Sequence, residues 1–190
     1  QFIELAEVDI TKDEMEVGPT CHYVMGGIEV DPDTGGASTP GLFAAGECSG
    51  GMHGSNRLGG NSLSDLLVFG KRAGEFAAKF AKENSYGKID NDKIDMYARE
   101  ALKPFENSRG ENPYSVQRDL QEAMQHNVGI VRDESEMHSA LDHLKTLWER
   151  AARVVAAGNR DFNPGWHTAL DLKNLLTVSE AITRAALERK

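Results

Sequence analysis

Apolar and polar positions follow one another in two different styles along this chain, and the change falls near residue 85. Upstream, short apolar runs such as "HYVMGGIEV" (His22 to Val30) and "GLFAAGE" (Gly41 to Glu47) are separated by glycine-rich turns. "DPDTGG" (Asp31 to Gly36) carries the plainest turn chemistry. These runs predict strands. From Asn61 the period becomes helical, with Leu63, Leu66, Leu67, Gly70, Ala73, Gly74, Ala77 and Ala81 on one stripe. So many small residues would let this helix lie close against a sheet. Ser62 followed three residues later by Asp65 has the form of a capping box, with Asp in place of Glu or Gln.

A polar linker, "KENSYGKIDND" (Lys82 to Asp92), comes next, and beyond it the chain reads as helical almost throughout. Ile94, Tyr97, Ala101 and Phe105 mark one helix, disturbed at Pro104. Val116, Leu120, Met124, Val128 and Val131 mark a second; Met137, Leu141, Leu144, Trp148, Ala151 and Val155 a third. After the turn "DFNPG" (Asp161 to Gly165), Ala169, Leu172, Leu176, Ser179, Ile182 and Ala186 mark a fourth. The stripes predict an up-down-up bundle of three helices that bury one another's apolar faces. The expected class is α+β: strands with one packed helix over residues 1–85, then an all-α three-helix bundle over residues 90–190. No internal repeat or low-complexity tract breaks this pattern.

Charge and composition remove several function classes. A formal net charge of -9 over 190 residues argues against a nucleic-acid backbone as partner. No apolar run approaches the roughly 18 residues that span a bilayer, and "QFIELAEVDI" lacks the pattern of a signal peptide. Cys21 and Cys48 form neither a disulfide framework nor a CxxC pair, so no thiolate metal site is expected and a reduced, cytosol-facing protein is. His126, His138, His143 and His167 lack metal-ligand spacing and read as solvated or capping residues. HExxH, Walker, GxSxG and complete GxGxxG motifs are all missing.

The candidates for chemistry lie in the glycine-rich half. In "HGSNRLGGNSLSD" (His53 to Asp65), Arg57 stands among Gly51, Gly54, Gly59 and Gly60 just before a helix start. Such a backbone allows close approach to a ligand, and a guanidinium there suits an anion; the alternative is a surface turn with a solvated arginine. His22, before the pair Gly26 and Gly27, is either a hydrogen-bonded core histidine or a functional one. Glu47 ends an apolar run beside a glycine, where a carboxylate accepts hydrogen bonds from ligand hydroxyls or serves as a surface residue.

The order of these pieces resembles the C-terminal part of the succinate dehydrogenase/fumarate reductase flavoprotein family. "HYVMGGIEVD", "GLFAAGE", "HGSNRLGGNSLSDLLVFG", "LQEAMQHNVGIVR" and "ALDLKNLLTVSEAITRAALERK" occur in sequence, covering nearly the whole chain. The resemblance implies that Glu47 hydrogen-bonds FAD and that Asn61, Ser62 and Leu63 lie beside the flavin ring. There the first N–H groups of a helix would favour negative charge. It also implies that Arg57 and His22 hold the carboxylates of succinate or fumarate, with His53 shaping the loop and taking no catalytic step. The first half would then be incomplete strands of the FAD-binding and capping domains, and the second a spectrin-repeat-like bundle.

The family's GxGxxG fingerprint, its FAD-linked histidine and its proton-shuttling arginine have no counterpart here, so no catalytic residue is assigned. The chain is expected to be a fragment with an incomplete FAD site, inactive alone. The partner implied by the resemblance is the iron–sulfur subunit, with membrane anchor subunits beyond it, at the cytoplasmic face of the inner membrane. L-aspartate oxidase is similar in this region, though "SLSDLLVFG" (Ser62 to Gly70) fits the dehydrogenase branch better. A different reading makes residues 90–190 a non-catalytic helical module that docks a partner.

Overall fold

A computed structural model describes residues 2–16, 18 and 20–189. It is mostly helical and divides into two compact units, Gln1–Lys88 and Ile89–Lys190.

The first unit opens with the short helix α1 (Phe2–Ala6), runs through irregular chain and a 3-10 turn (Gly46–Cys48), and ends in α2 (Asn61–Glu83). The expected strands are reduced to isolated bridges: Ile28 with Ser49 in parallel, Val30 with Ala37 and Gly36 with Phe43 antiparallel. Each segment finds a neighbour at one position, too little for a ladder. The Asp31 turn forms as expected. Its carboxylate accepts from the Asp33 and Thr34 N–H groups at 3.2 and 2.9 Å and from the Thr34 hydroxyl at 2.8 Å. These bonds, the Thr34 hydroxyl's foremost, hold the Asp31 carboxyl below its ordinary range.

Two expectations for α2 are corrected. It begins two residues earlier than a Ser62 cap requires: Gly60, in the left-handed region at φ 83°, is the N-cap, and no side chain caps the helix. With Gly60 as N-cap, Asp65 stands in the second turn, and its carboxylate meets His53 instead of the helix start. Nor is the apolar stripe buried throughout. Ala73 and Asp65 are buried, whereas Leu63, Leu66 and Leu67 are exposed. No sheet lies over them among the described residues.

The second unit contains α3 (Asn91–Glu106), α4 (Pro113–Asn127), α5 (Glu134–Ala151) and α6 (Pro164–Glu188). Asp90, Asn112, Asp133 and Asn163 each accept a first-turn N–H, four side-chain caps that set where the helices begin. α4, α5 and α6 pack on one another, and α3 packs on α6. Val116 and Leu120, Leu144 and Leu147, and Leu172 and Leu176 form the shared core with Val154. α3 continues through Pro104 to Glu106, and the Pro104 carbonyl accepts from the Ala156 N–H at 2.8 Å. α4 stops earlier than its stripe suggested: Val128 is its C-cap and Val131 lies exposed in the loop. Val155 likewise falls beyond α5, where its N–H donates to the Glu111 carbonyl. Arg150 clasps Glu111 through two bonds of 2.8 and 2.6 Å and Asp119 through a third contact of 2.6 Å.

Candidate functional site

Two glycines bring the candidate residues of the first unit into position. At Gly27, φ is 146° and an added Cβ would stand 2.3 Å from the Cys48 carbonyl oxygen. That close approach lets Ile28 donate to Cys48 and accept from Gly50, drawing the His22 segment alongside the 3-10 turn. At Gly46, φ is 81° and a Cβ would meet Leu66 at 2.6 Å, so the turn backs directly onto α2. Glu47, the next residue, extends to the His22 segment and accepts the Val24 N–H at 3.0 Å. The Glu47 side chain is otherwise exposed, which leaves its second oxygen open to a ligand hydroxyl.

Arg57 is half-buried, with its guanidinium 4.6 Å above the ring centre of Tyr23. Its Nη1 donates to the Leu58 carbonyl at 3.2 Å, and its Nε is buried without a hydrogen-bond partner. Among the described residues no carboxylate forms an ion pair with it. Tyr23 also meets His53 edge to face, with ring centres 5.9 Å apart and planes at 79°. His53 Nε2 lies 3.2 Å from Asp65 Oδ2, in a pair whose side chains are 15% and 2% exposed. The Tyr23 hydroxyl and Asp65 Oδ1 are buried and make no hydrogen bond of good geometry. Burial first, then the charges of Asp65 and Glu47, push the Tyr23 phenol above its ordinary value, with Arg57 opposing.

His22 stands exposed one residue before Tyr23, and no bond joins it to Arg57. Asn61, Ser62 and Leu63 form the first turn of α2, with Asn61 and Leu63 exposed. The Asn61 N–H donates to the Leu58 carbonyl and the Leu63 N–H to Gly60, both at 3.2 Å, whereas among the described residues the Ser62 N–H is met by no loop carbonyl or capping side chain. The Tyr23, His53 and Asp65 cluster behind Arg57 is what sequence reasoning missed. An aromatic residue beside His22 and a carboxylate twelve residues after His53 were its signals. A cavity of about 410 Å³ between α4 and α5 offers no rival site, because its Arg150 is committed to Glu111 and Asp119. Among the described residues no group of three His, Cys, Asp or Glu could hold a metal.

The half-open arginine, the exposed carboxylate and the uncapped helix start suit a nucleotide cofactor and a small anion. In agreement, a model of the FAD binding domain matches residues 1–63, and one of the fumarate reductase flavoprotein C-terminal region matches residues 117–190. The class is that of an FAD-dependent flavoprotein. Among curated relatives, the succinate dehydrogenase flavoprotein subunit of Coxiella burnetii is 39% identical over 99% of this chain and 35% of its own length. The fumarate reductase flavoprotein subunit of Haemophilus influenzae is 38% identical over 96% of this chain and 31% of its own. A solved structure of the Mycobacterium smegmatis Sdh1 complex superposes with a TM-score of 0.92 at 61% identity, over 100% of this chain and 32% of that one. Over nearly its whole length the chain is similar to part of the succinate dehydrogenase/fumarate reductase flavoproteins. It spans about a third of the length of these relatives.

Proposed function

We propose that this chain supplies part of the flavin site and part of the dicarboxylate site of an FAD-dependent subunit that interconverts succinate and fumarate. The observation that carries the reading is Arg57. A half-buried guanidinium without an acidic partner among the described residues is poorly solvated, and an anion at its open edge would offset that cost. One carboxylate of the substrate would bind there in a fork of two hydrogen bonds. His22, exposed at the neighbouring segment, would hold the substrate at a second point. Two holds on a short diacid fix its C–H bonds relative to the flavin, the condition for productive transfer. FAD, when bound, supplies the hydride acceptor and donor. Glu47 would receive hydroxyls of the cofactor, and the Ser62 N–H, with the exposed edge formed by Asn61 and Leu63, would meet the flavin ring. This chain's matched residues include no proton donor, so catalysis is assigned to the full subunit.

The spectrin-repeat-like arrangement of α4 to α6 is read as support for the flavin-binding part. Among the described residues no helix is long and apolar enough to cross a membrane. By the resemblance, attachment at the cytoplasmic face would run through an iron–sulfur subunit with its membrane anchors. The test is Arg57→Gln in the full-length holoenzyme. Loss of a charge-assisted pair of bonds, about 1.5–3 kcal/mol, lowers kcat/KM for succinate by about 10- to 150-fold at unchanged flavin content. An unchanged kcat/KM would exclude Arg57 as the substrate ligand.

A further inference from the structure

We infer that Tyr23 is a positioning residue for Arg57, and that its ring, braced by His53 and Asp65, is the seat that aims the guanidinium at its anion. The inference rests on the reading of Arg57 as the dicarboxylate ligand. The loop around Arg57 cannot aim the side chain by itself. No heavy atom lies within 4 Å of where a Cβ would stand at Gly54, Gly59 or Gly60, so the glycines on both sides are unconfined. Among the described residues, the one hydrogen bond that Arg57 makes goes to its own neighbour, Leu58, and moves with the loop. The remaining fixed point is the ring of Tyr23, 4.6 Å from the guanidinium carbon.

That ring is itself located by α2. Asp65 is buried in the second turn of the helix and bonds His53 at 3.2 Å; the imidazole then presses edge to face on Tyr23. A rigid element is thus connected to a flexible loop through three side chains, none of which is placed against the substrate. The arrangement separates two tasks. Ion pairing with a carboxylate would also orient Arg57 but would neutralise it, whereas an aromatic face orients a cation and leaves its charge and its N–H fork available. A phenol is neutral at physiological pH, and the pKa of this one is raised further, so the ring brings no negative charge to the guanidinium.

The test uses the full-length holoenzyme with Tyr23→Leu, Tyr23→Phe, Arg57→Gln and the double variant Tyr23→Leu/Arg57→Gln. Malonate affinity by isothermal titration and the separate values of KM and kcat are the readouts, with flavin content as the check on folding. Tyr23→Leu keeps an apolar side chain but removes the π face, and weakens malonate binding and raises KM by about 5- to 30-fold with a smaller change in kcat. Tyr23→Phe, which keeps the face, restores affinity to within about threefold. In the Arg57→Gln background, Tyr23→Leu causes no further loss, because the ring acts through the guanidinium. If Arg57→Gln weakens malonate while Tyr23→Leu binds as tightly as the parent, the seat is refuted and the ligand reading stands. Equal losses from Tyr23→Leu in both backgrounds also refute it. If Arg57→Gln leaves malonate binding unaltered, the ligand reading fails and the inference falls with it.

Discussion

Leu172 tests whether the helical unit is held by one shared core. Its side chain is fully buried on α6, among Val116 and Leu120 of α4 and Leu144 and Leu147 of α5. Replacement by alanine removes the apolar contacts at the point where three helices meet, and helices already packed on two sides cannot collapse into the gap. Leucine-to-alanine changes cost about 2.7–5 kcal/mol according to how far the site relaxes, and a rigid site of this kind belongs near 3–4 kcal/mol. For a unit of this size, with a urea m-value of about 1.5 kcal/mol/M, the unfolding midpoint falls by roughly 2 M. The assay is convenient because both tryptophans, Trp148 and Trp166, lie in the second unit. Tryptophan fluorescence of the whole chain therefore reports that unit without dissecting the protein. Leu175→Ala is the control: Leu175 is 37% exposed on the same helix and its removal costs less than about 1 kcal/mol. Equal midpoint shifts for the two variants, or a shift below about 0.5 M for Leu172→Ala, would refute a single core shared by α4, α5 and α6.

Asn163 should be as sensitive as a core residue, although polar. Its Oδ1 caps α6 by accepting from the Trp166 N–H at 2.9 Å, and its Nδ2 donates to the Ala157 and Asn159 carbonyls at 2.9 and 2.7 Å. Asn163→Asp retains the cap acceptor but sets a carboxylate against two carbonyls, and is expected to cost about 2–4 kcal/mol by the same fluorescence assay; a midpoint equal to the parent's would show that the cap alone matters. The Arg150 clasp predicts a pH dependence. Hydrogen bonding from Arg150 holds the Glu111 carboxyl below its ordinary 4.5, so its contribution to stability is complete above about pH 5 and is lost as pH falls through the folded value. Arg150→Met should flatten the acid limb of midpoint against pH, leaving the slopes from Asp133 and Asp142, whose carboxyls are also held low; an unchanged limb would rule the clasp out as its source.

The helices were legible because their determinants are local. Leu172 and Leu176 recur at helical spacing for the same reason that they are buried on one face, and such a stripe survives whatever packs on it. The ends were less legible, since Val131 and Val155 are apolar without being helical and the caps at Asp90, Asn112, Asp133 and Asn163 act through single side chains. Strand pairing failed to show because a bridge such as Ile28 with Ser49 depends on what two distant segments can offer each other. Arg57 stood out by its glycine neighbours; nothing local announced Tyr23 beneath it. The misread Ser62 and Asp65 spacing has the same origin. A carboxylate three residues after a serine is available to cap a helix unless something else competes for it, and here the competitor is His53, buried with it at the back of the arginine. A local rule gave way where Asp65 was drawn into tertiary contacts, and those contacts converge on Arg57, the one half-buried arginine or lysine without an acidic partner among the described residues.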